Sequence, residues 1–124
     1  MERLTLIIAN RNYSSWSLRA WLALEATGQK FDEVLIPLGR DNTTEEILRW
    51  SPTGRVPALH HGEIRLWDSL AICEYLAETY PKVGLWPADA GVRAVARSVV
   101  AEMHSGFVAL RNHMPMNLRA SYPA

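Results

Sequence analysis

Three short stretches of this sequence carry side chains that could handle a small anionic or peptide-like ligand. The first, Asn12-Tyr13-Ser14-Ser15-Trp16-Ser17-Leu18-Arg19, crowds hydroxyl groups just ahead of an apolar, helix-periodic segment. A serine or tyrosine hydroxyl at a helix N-terminus can donate to a nearby anion and stabilise it, and a serine-rich start is also an ordinary helix cap. The second, Ser51 to Leu59, puts Pro57 at the opening of a strand, a costly place unless the missing N–H falls at an edge or bend. With a cis Val56–Pro57 bond the chain turns and the Val56 N–H and C=O can pair with a peptide-like ligand; with a trans bond the segment is a plain edge strand. The third opens at Asp68-Ser69. An Asp-Ser pair at a helix start supplies a hydroxyl, free N–H groups and the positive end of the dipole, which together hold a carboxylate, although both residues are also the commonest caps.

The elements that must position these groups follow from periodicity and punctuation. Leu4 to Ala9 is an apolar run with one Thr, expected as a strand covered on both faces. Trp16 to Thr27 reads as a helix with Ser14, Ser15 or Ser17 as N-cap and Gly28 at its C-terminal end. Phe31 to Leu38 alternates as a second strand, so a parallel βαβ pair is expected. Thr43 and Glu46 have capping-box spacing for a helix from Thr44 to Trp50. Val56 to His60 and Glu63 to Trp67 flank His61-Gly62 as a hairpin, and a helix follows to about Thr79, stopped at Tyr80-Pro81.

The resulting order, β-α-β-α-β-β-α, is what a thioredoxin-like domain contains, and other α/β folds share it. Residues 82–87 read as a linker. Asp89 then caps one long helix with an apolar stripe through Val92, Val95, Ala96, Val99, Met103, Phe107, Leu110 and Met114, ended by Pro115. Arg93, Arg97, His104 and Arg111 recur on its polar side, and so long an amphipathic helix must pack on something.

Composition narrows the function. Thirteen basic and thirteen acidic residues give a formal net charge of zero, and residues 1–87 hold eleven acidic against nine basic side chains. A nucleic-acid binder draws much of its affinity from neutralised phosphates and carries a basic stripe; none is evident, and the four later arginines read as a solvated helix face. Cys73 is the only cysteine, which excludes an internal disulfide, a Cys-x-x-Cys pair and a thiolate cluster. It reads as a buried, inert thiol. His60 and His61 would face opposite sides of a strand, and His104 and His113 lack helical ligand spacing, so no metal is expected. No apolar run approaches the roughly 20 residues of a membrane span. Met1-Glu2-Arg3-Leu4 has no signal-peptide layout, so a cytoplasmic protein without a membrane partner is expected.

Two motifs add a resemblance. Val-Pro-x-Leu, a hairpin and Ser-x-Ala-Ile-x-x-Tyr-Leu, standing here as VPALHHGEIRLWDSLAICEYL, resemble the glutathione S-transferase pattern. The loop SSWSLRAWLAL is similar to the zeta-class motif, which begins Ser-Ser-Cys-Ser and continues through an Arg into an aliphatic helix. The resemblance covers about Leu4 to Met114. It implies an α/β, thioredoxin-like glutathione-binding domain over residues 1–81, then the first helix of an all-α C-terminal domain over residues 88–124. It also implies reduced glutathione as co-substrate, a small electrophile as second substrate, and a homodimer.

By the resemblance, Ser14 is the catalytic serine that donates to the glutathione sulfur, with Ser15 assisting; Tyr13 is the alternative donor, since other classes use a tyrosine in this loop. Val56, with Pro57 cis, holds the cysteinyl backbone, and Arg55 meets the glycyl carboxylate. Asp68 and Ser69 take the γ-glutamyl end. Met103, His104, Phe107 and Arg111 either line a wall of the electrophile pocket, or pack and face solvent. Trp16 stands where the zeta motif has its cysteine, and the sequence ends after the first helix of the helical half. The expected function is activation of the glutathione thiol for attack on an electrophile, or for isomerisation or reduction. The alternatives are a non-catalytic module of the same fold and an inactive fragment.

Overall fold

Side chains of a central strand alternate between two environments, and in Leu4–Ile8 (β1) both are apolar. In the computed structural model, which describes residues 2–121, Leu4, Leu6 and Ile8 face one layer of helices and Ile7 faces the other. On the first face lie Ser15–Ala26 (α1) and Ser69–Thr79 (α3), whose Ala20, Leu24, Ile72 and Leu76 complete a core with Leu59. On the second lies Thr43–Trp50 (α2), whose Ile47 packs with Ile7, Ile36 and Ala58.

The sheet has the order β2-β1-β3-β4, with Asp32–Leu35 (β2), Ala58–His61 (β3) and Ile64–Trp67 (β4). β1 and β2 are parallel, as a helix-linked pair must be, and the other two pairings are antiparallel. This is the expected thioredoxin-like order. β2 is shorter than the run from Phe31 to Leu38: the Ile36 N–H still reaches the Ile8 carbonyl at 2.8 Å, but Pro37 has no N–H to continue the ladder. The β3–β4 turn is Gly62–Glu63, with Gly62 at φ +60 and the Glu2 carboxylate where a side chain would project.

Two local expectations are corrected. The capping box at Thr43 does not form. Its Oγ1 instead donates to the Pro37 carbonyl (2.8 Å) and accepts from the Arg40 N–H (3.0 Å), tying down the preceding loop. Asn42 takes the cap position without a side-chain bond.

The long helix expected from Asp89 to Pro115 is two helices, Ala90–Ser105 (α4) and Val108–His113 (α5). It breaks at Gly106-Phe107, where Phe107 has φ +59, a left-handed conformation costly for a residue with a side chain. A Cβ on Gly106 would sit 2.9 Å from the Glu102 carbonyl, so the turn out of α4 needs glycine there.

The orientation of α4 also reverses the usual rule. An amphipathic helix normally buries its apolar stripe. Here Arg97 reaches Glu74 of α3 (3.5 Å) and lies over Trp86, and His104 reaches Asp68 (3.3 Å), so the polar side faces the sheet unit. Val92, Val95, Val99, Phe107, Leu110 and Met114 are exposed.

These placements make opposite predictions for two truncations. Leu24→Ala, at a fully buried site, should cost about 2–5 kcal/mol in urea unfolding. Val99→Ala, 61% exposed, should stay within about 0.5 kcal/mol. A large loss at Val99 would mean that the apolar stripe is covered in solution.

Candidate functional site

The three chemistry-bearing stretches meet because of strand register. Ile7 pairs with Ala58, and Ala58 with Trp67. The end of β1, the start of β3 and the end of β4 therefore lie side by side at one edge of the sheet. Beyond that edge is a cavity of about 700 Å³, bordered by Arg55, Val56, Pro57, Asp68 and Ser69. Five residues singled out from the sequence are thus brought together.

The Val56–Pro57 peptide bond is cis. Among the described residues the Val56 N–H and C=O have no backbone partner. The loop before it is braced: the buried Ser51 shares a 3.0 Å hydrogen bond with Thr53, whose Oγ1 also accepts from the Arg55 N–H at 3.3 Å. Arg55 itself is exposed and has no carboxylate partner among the described residues.

Asp68 caps α3, accepting from the Leu70 N–H at 2.9 Å, and does so at φ +78. That conformation costs of order 1–3 kcal/mol for a residue other than glycine, and such strain clusters at ligand sites. Ser69, the first residue of α3, is 3% exposed and borders the cavity at the helix's positive end.

Ser14 and Ser15 lie outside the cavity lining, which α1 enters through Trp16. Ser14 is the N-cap of α1; its Oγ accepts from the Ser17 N–H at 3.2 Å, which leaves its own O–H proton uncommitted to the helix. Ser17, also weighed as a cap, has a different task. It is fully buried and accepts from the Ala9 N–H at 3.1 Å where β1 ends. Asn12 ties the same loop to residues 117–119: its side chain meets Asn117 (3.0 Å) and the Arg119 N–H (2.7 Å), and its carbonyl accepts from the Leu118 N–H (3.2 Å).

Of the four residues considered for a second wall, His104 and Arg111 border the cavity. Phe107 is half exposed and Met103 lines a separate apolar cavity of about 430 Å³. The reading of His104 and Arg111 as a solvated face is therefore overturned. Both pack on Trp16, His104 edge-on at 5.0 Å and the Arg111 guanidinium 4.6 Å from the ring centre. Arg19 lies 4.1 Å from the same ring, and burial followed by repulsion from Arg111 lowers its pKa. Cys73, beside the apolar cavity, has its thiol pushed up by burial, against an opposing pull from Arg19. Sequence reasoning did not single out Trp16, Thr53 or Trp67 as lining residues; the adjacency of Trp16 to Ser15 and of Trp67 to Asp68 was the available signal.

Among the described residues no group of three His, Cys, Asp or Glu side chains is placed to hold a metal ion, and no helix is long and apolar enough to cross a membrane.

Comparison with known proteins bears on this geometry. A family model described as the glutathione S-transferase N-terminal domain matches residues 13–79. Glutathione S-transferase 1 of Dianthus caryophyllus is 35% identical, over 84% of this chain and 48% of that protein. The maleylacetoacetate isomerase of Mus musculus is 38% identical, over 82% of this chain and 48% of that protein. A crystal structure of a glutathione transferase homolog from Burkholderia gl BGR1, with bound glutathione, superposes at a TM-score of 0.76 and 32% identity, covering 90% of this chain and 62% of that one. The chain spans about half the length of these curated relatives.

Ser17, which makes a buried contact, and Ser15, which makes none found here, separate in one experiment. Ser17→Ala leaves the buried Ala9 N–H unpaired and should cost about 1–3 kcal/mol in chemical denaturation. Ser15→Ala, which removes no hydrogen bond found here, should cost well under 1 kcal/mol. Equal losses would show that the Ser17 hydroxyl does not carry this contact.

Proposed function

The chain belongs to the glutathione S-transferase family, and on that premise we propose that it binds reduced glutathione along the sheet-edge cavity and activates its thiol for reaction with a small electrophile. The observation that carries this reading is the convergence of Val56, beside a cis proline, with the Asp68-Ser69 start of α3 on one cavity.

The tripeptide lies extended in this reading. The Val56 main chain pairs with its cysteinyl backbone like an added strand, and Arg55 takes the glycyl carboxylate. Ser69 and the N–H groups at the start of α3 take the γ-glutamyl carboxylate, and the Asp68 carboxylate faces the γ-glutamyl ammonium. Ser14, two residues from Trp16, donates its free O–H proton to the sulfur, with Ser15 as its backup. A hydrogen bond to the charged form lowers the thiol pKa, which raises the thiolate fraction able to attack at neutral pH.

Residues 1–81 serve as the glutathione-binding domain, joined through 82–87 to residues 88–124 as the start of a helical domain. The outward apolar face of α4 and α5 supports the association expected of a homodimer. A cytoplasmic setting belongs to the same reading.

Calorimetric titration with reduced glutathione tests it. Wild type should bind, and Ser69→Ala should weaken binding about tenfold or more, the loss expected for hydrogen bonds to a charged group. Ser14→Ala should keep binding while the ultraviolet thiolate absorbance of bound glutathione falls. A folded wild type that does not bind glutathione would sink the proposal.

A further inference from the structure

Three arginines at or beside the cavity have no carboxylate partner among the described residues. Arg3, Arg11, Arg49 and Arg97 each have a carboxylate partner, and His104 has Asp68; Arg19, Arg55 and Arg111 have none among the described residues. Resting on the glutathione reading above, Arg55 and the start of α3 account for both carboxylates of the tripeptide. Arg111, on the facing wall, is left over. Arg19 lies over the same Trp16 ring, partly desolvated by burial and repelled by Arg111.

Arg111 is also held ready. The break at Gly106-Phe107 turns α5 back, so that Arg111 Nη2 donates to the carbonyls of Met103 (2.8 Å), His104 (3.3 Å) and Gly106 at the end of α4. Trp16 supports the guanidinium plane from the side. Its Nε is buried with no hydrogen-bond partner, and Nη1 makes no hydrogen bond among the described residues. A buried guanidinium N–H without an acceptor is costly and calls for an explanation. A fork fixed on several sides loses little entropy when it takes up an anion.

We propose that the wall formed by Trp16, His104 and Arg111 binds a carboxylate carried by the second substrate, so that the protein selects anionic electrophiles over neutral ones of the same shape. Arg111 supplies the charge and, through Nη1, a donor with no partner among the described residues. Trp16 fixes the position of the guanidinium. His104, engaged by Asp68, shapes the wall between them.

The test compares two glutathione conjugates that differ by one group, S-benzylglutathione and S-(para-carboxybenzyl)glutathione, titrated into the full chain by calorimetry. The carboxylated conjugate should bind wild type about tenfold tighter, the gain expected of a charge-assisted hydrogen bond. That ratio should shrink as salt is raised and fall to about one in R111Q, whatever the variant does to the parent affinity. No preference in wild type overturns the proposal even if R111Q fails to fold, and so does a preference that R111Q retains. If a folded wild type binds neither conjugate, the glutathione reading has failed and this proposal falls with it; binding of both with equal affinity overturns the carboxylate site alone.

Discussion

The antiparallel register that sets Ile7 opposite Ala58 and Ala58 opposite Trp67 is the constraint from which the site follows. A slip of one residue would turn every side chain of β3 to the other face. It would exchange Ala58, which packs against Ile7 and Ile47, for Leu59, which fills the space beside Leu24 and Ile72. Both faces are buried, so both reject the exchange. The same register decides that the residues preceding β3 and following β4 emerge together. Packing that has nothing to do with a ligand thus determines that Val56 and Ser69 border one cavity.

The helices after the sheet obey a different rule. Apolar burial would turn Val92, Val95 and Val99 inward, yet contacts of Arg97 with Glu74 and Trp86, and of His104 with Asp68 and Trp16, hold the opposite side against α3. Exposed ion pairs contribute little one at a time, typically about 0–1 kcal/mol, so the cation–aromatic contacts and the half-buried His104 must share the work. The break at Gly106 follows from the same geometry. A continuous helix would carry Arg111 two turns beyond His104, about 10 Å along the axis, whereas the break folds it back onto the carbonyls of Met103, His104 and Gly106.

Patterns that depend on neighbours in sequence were legible in it. The apolar run of β1 and the Pro57 and Asp68-Ser69 segments lie where the sequence placed them, and the caps fall at Ser14 and Asp68, among the candidates it offered. What was not legible depended on partners far along the chain. Periodicity located the stripe on α4 but carries no information about which side meets the sheet. The Thr43 hydroxyl had two local uses, and the Pro37 carbonyl, brought near by the loop, decided between them. Periodicity carried one helix straight through Gly106, and only the Glu102 carbonyl at its back shows that the turn requires glycine there.

The serine-rich loop shows why spacing alone leaves roles open. Ser14, Ser15 and Ser17 are equivalent as sequence, each a hydroxyl near a helix start. Folding makes them different. Ser17 faces inward and answers the Ala9 N–H, which would otherwise be orphaned where β1 leaves the sheet. That contact sets the distance between the strand end and the helix start, and Asn12 fixes the loop from outside through residues 117–119. Ser14 is held by its own backbone, donating to the Asn10 carbonyl at 2.8 Å, while its oxygen accepts from Ser17. Its O–H proton has no acceptor among the described residues, and Ser14 is only partly covered, whereas the Ser17 hydroxyl is fully buried. A group that is positioned by its neighbours, keeps a free donor and is not buried can serve chemistry, and this difference supports the proposal that Ser14 rather than Ser17 acts on the thiol.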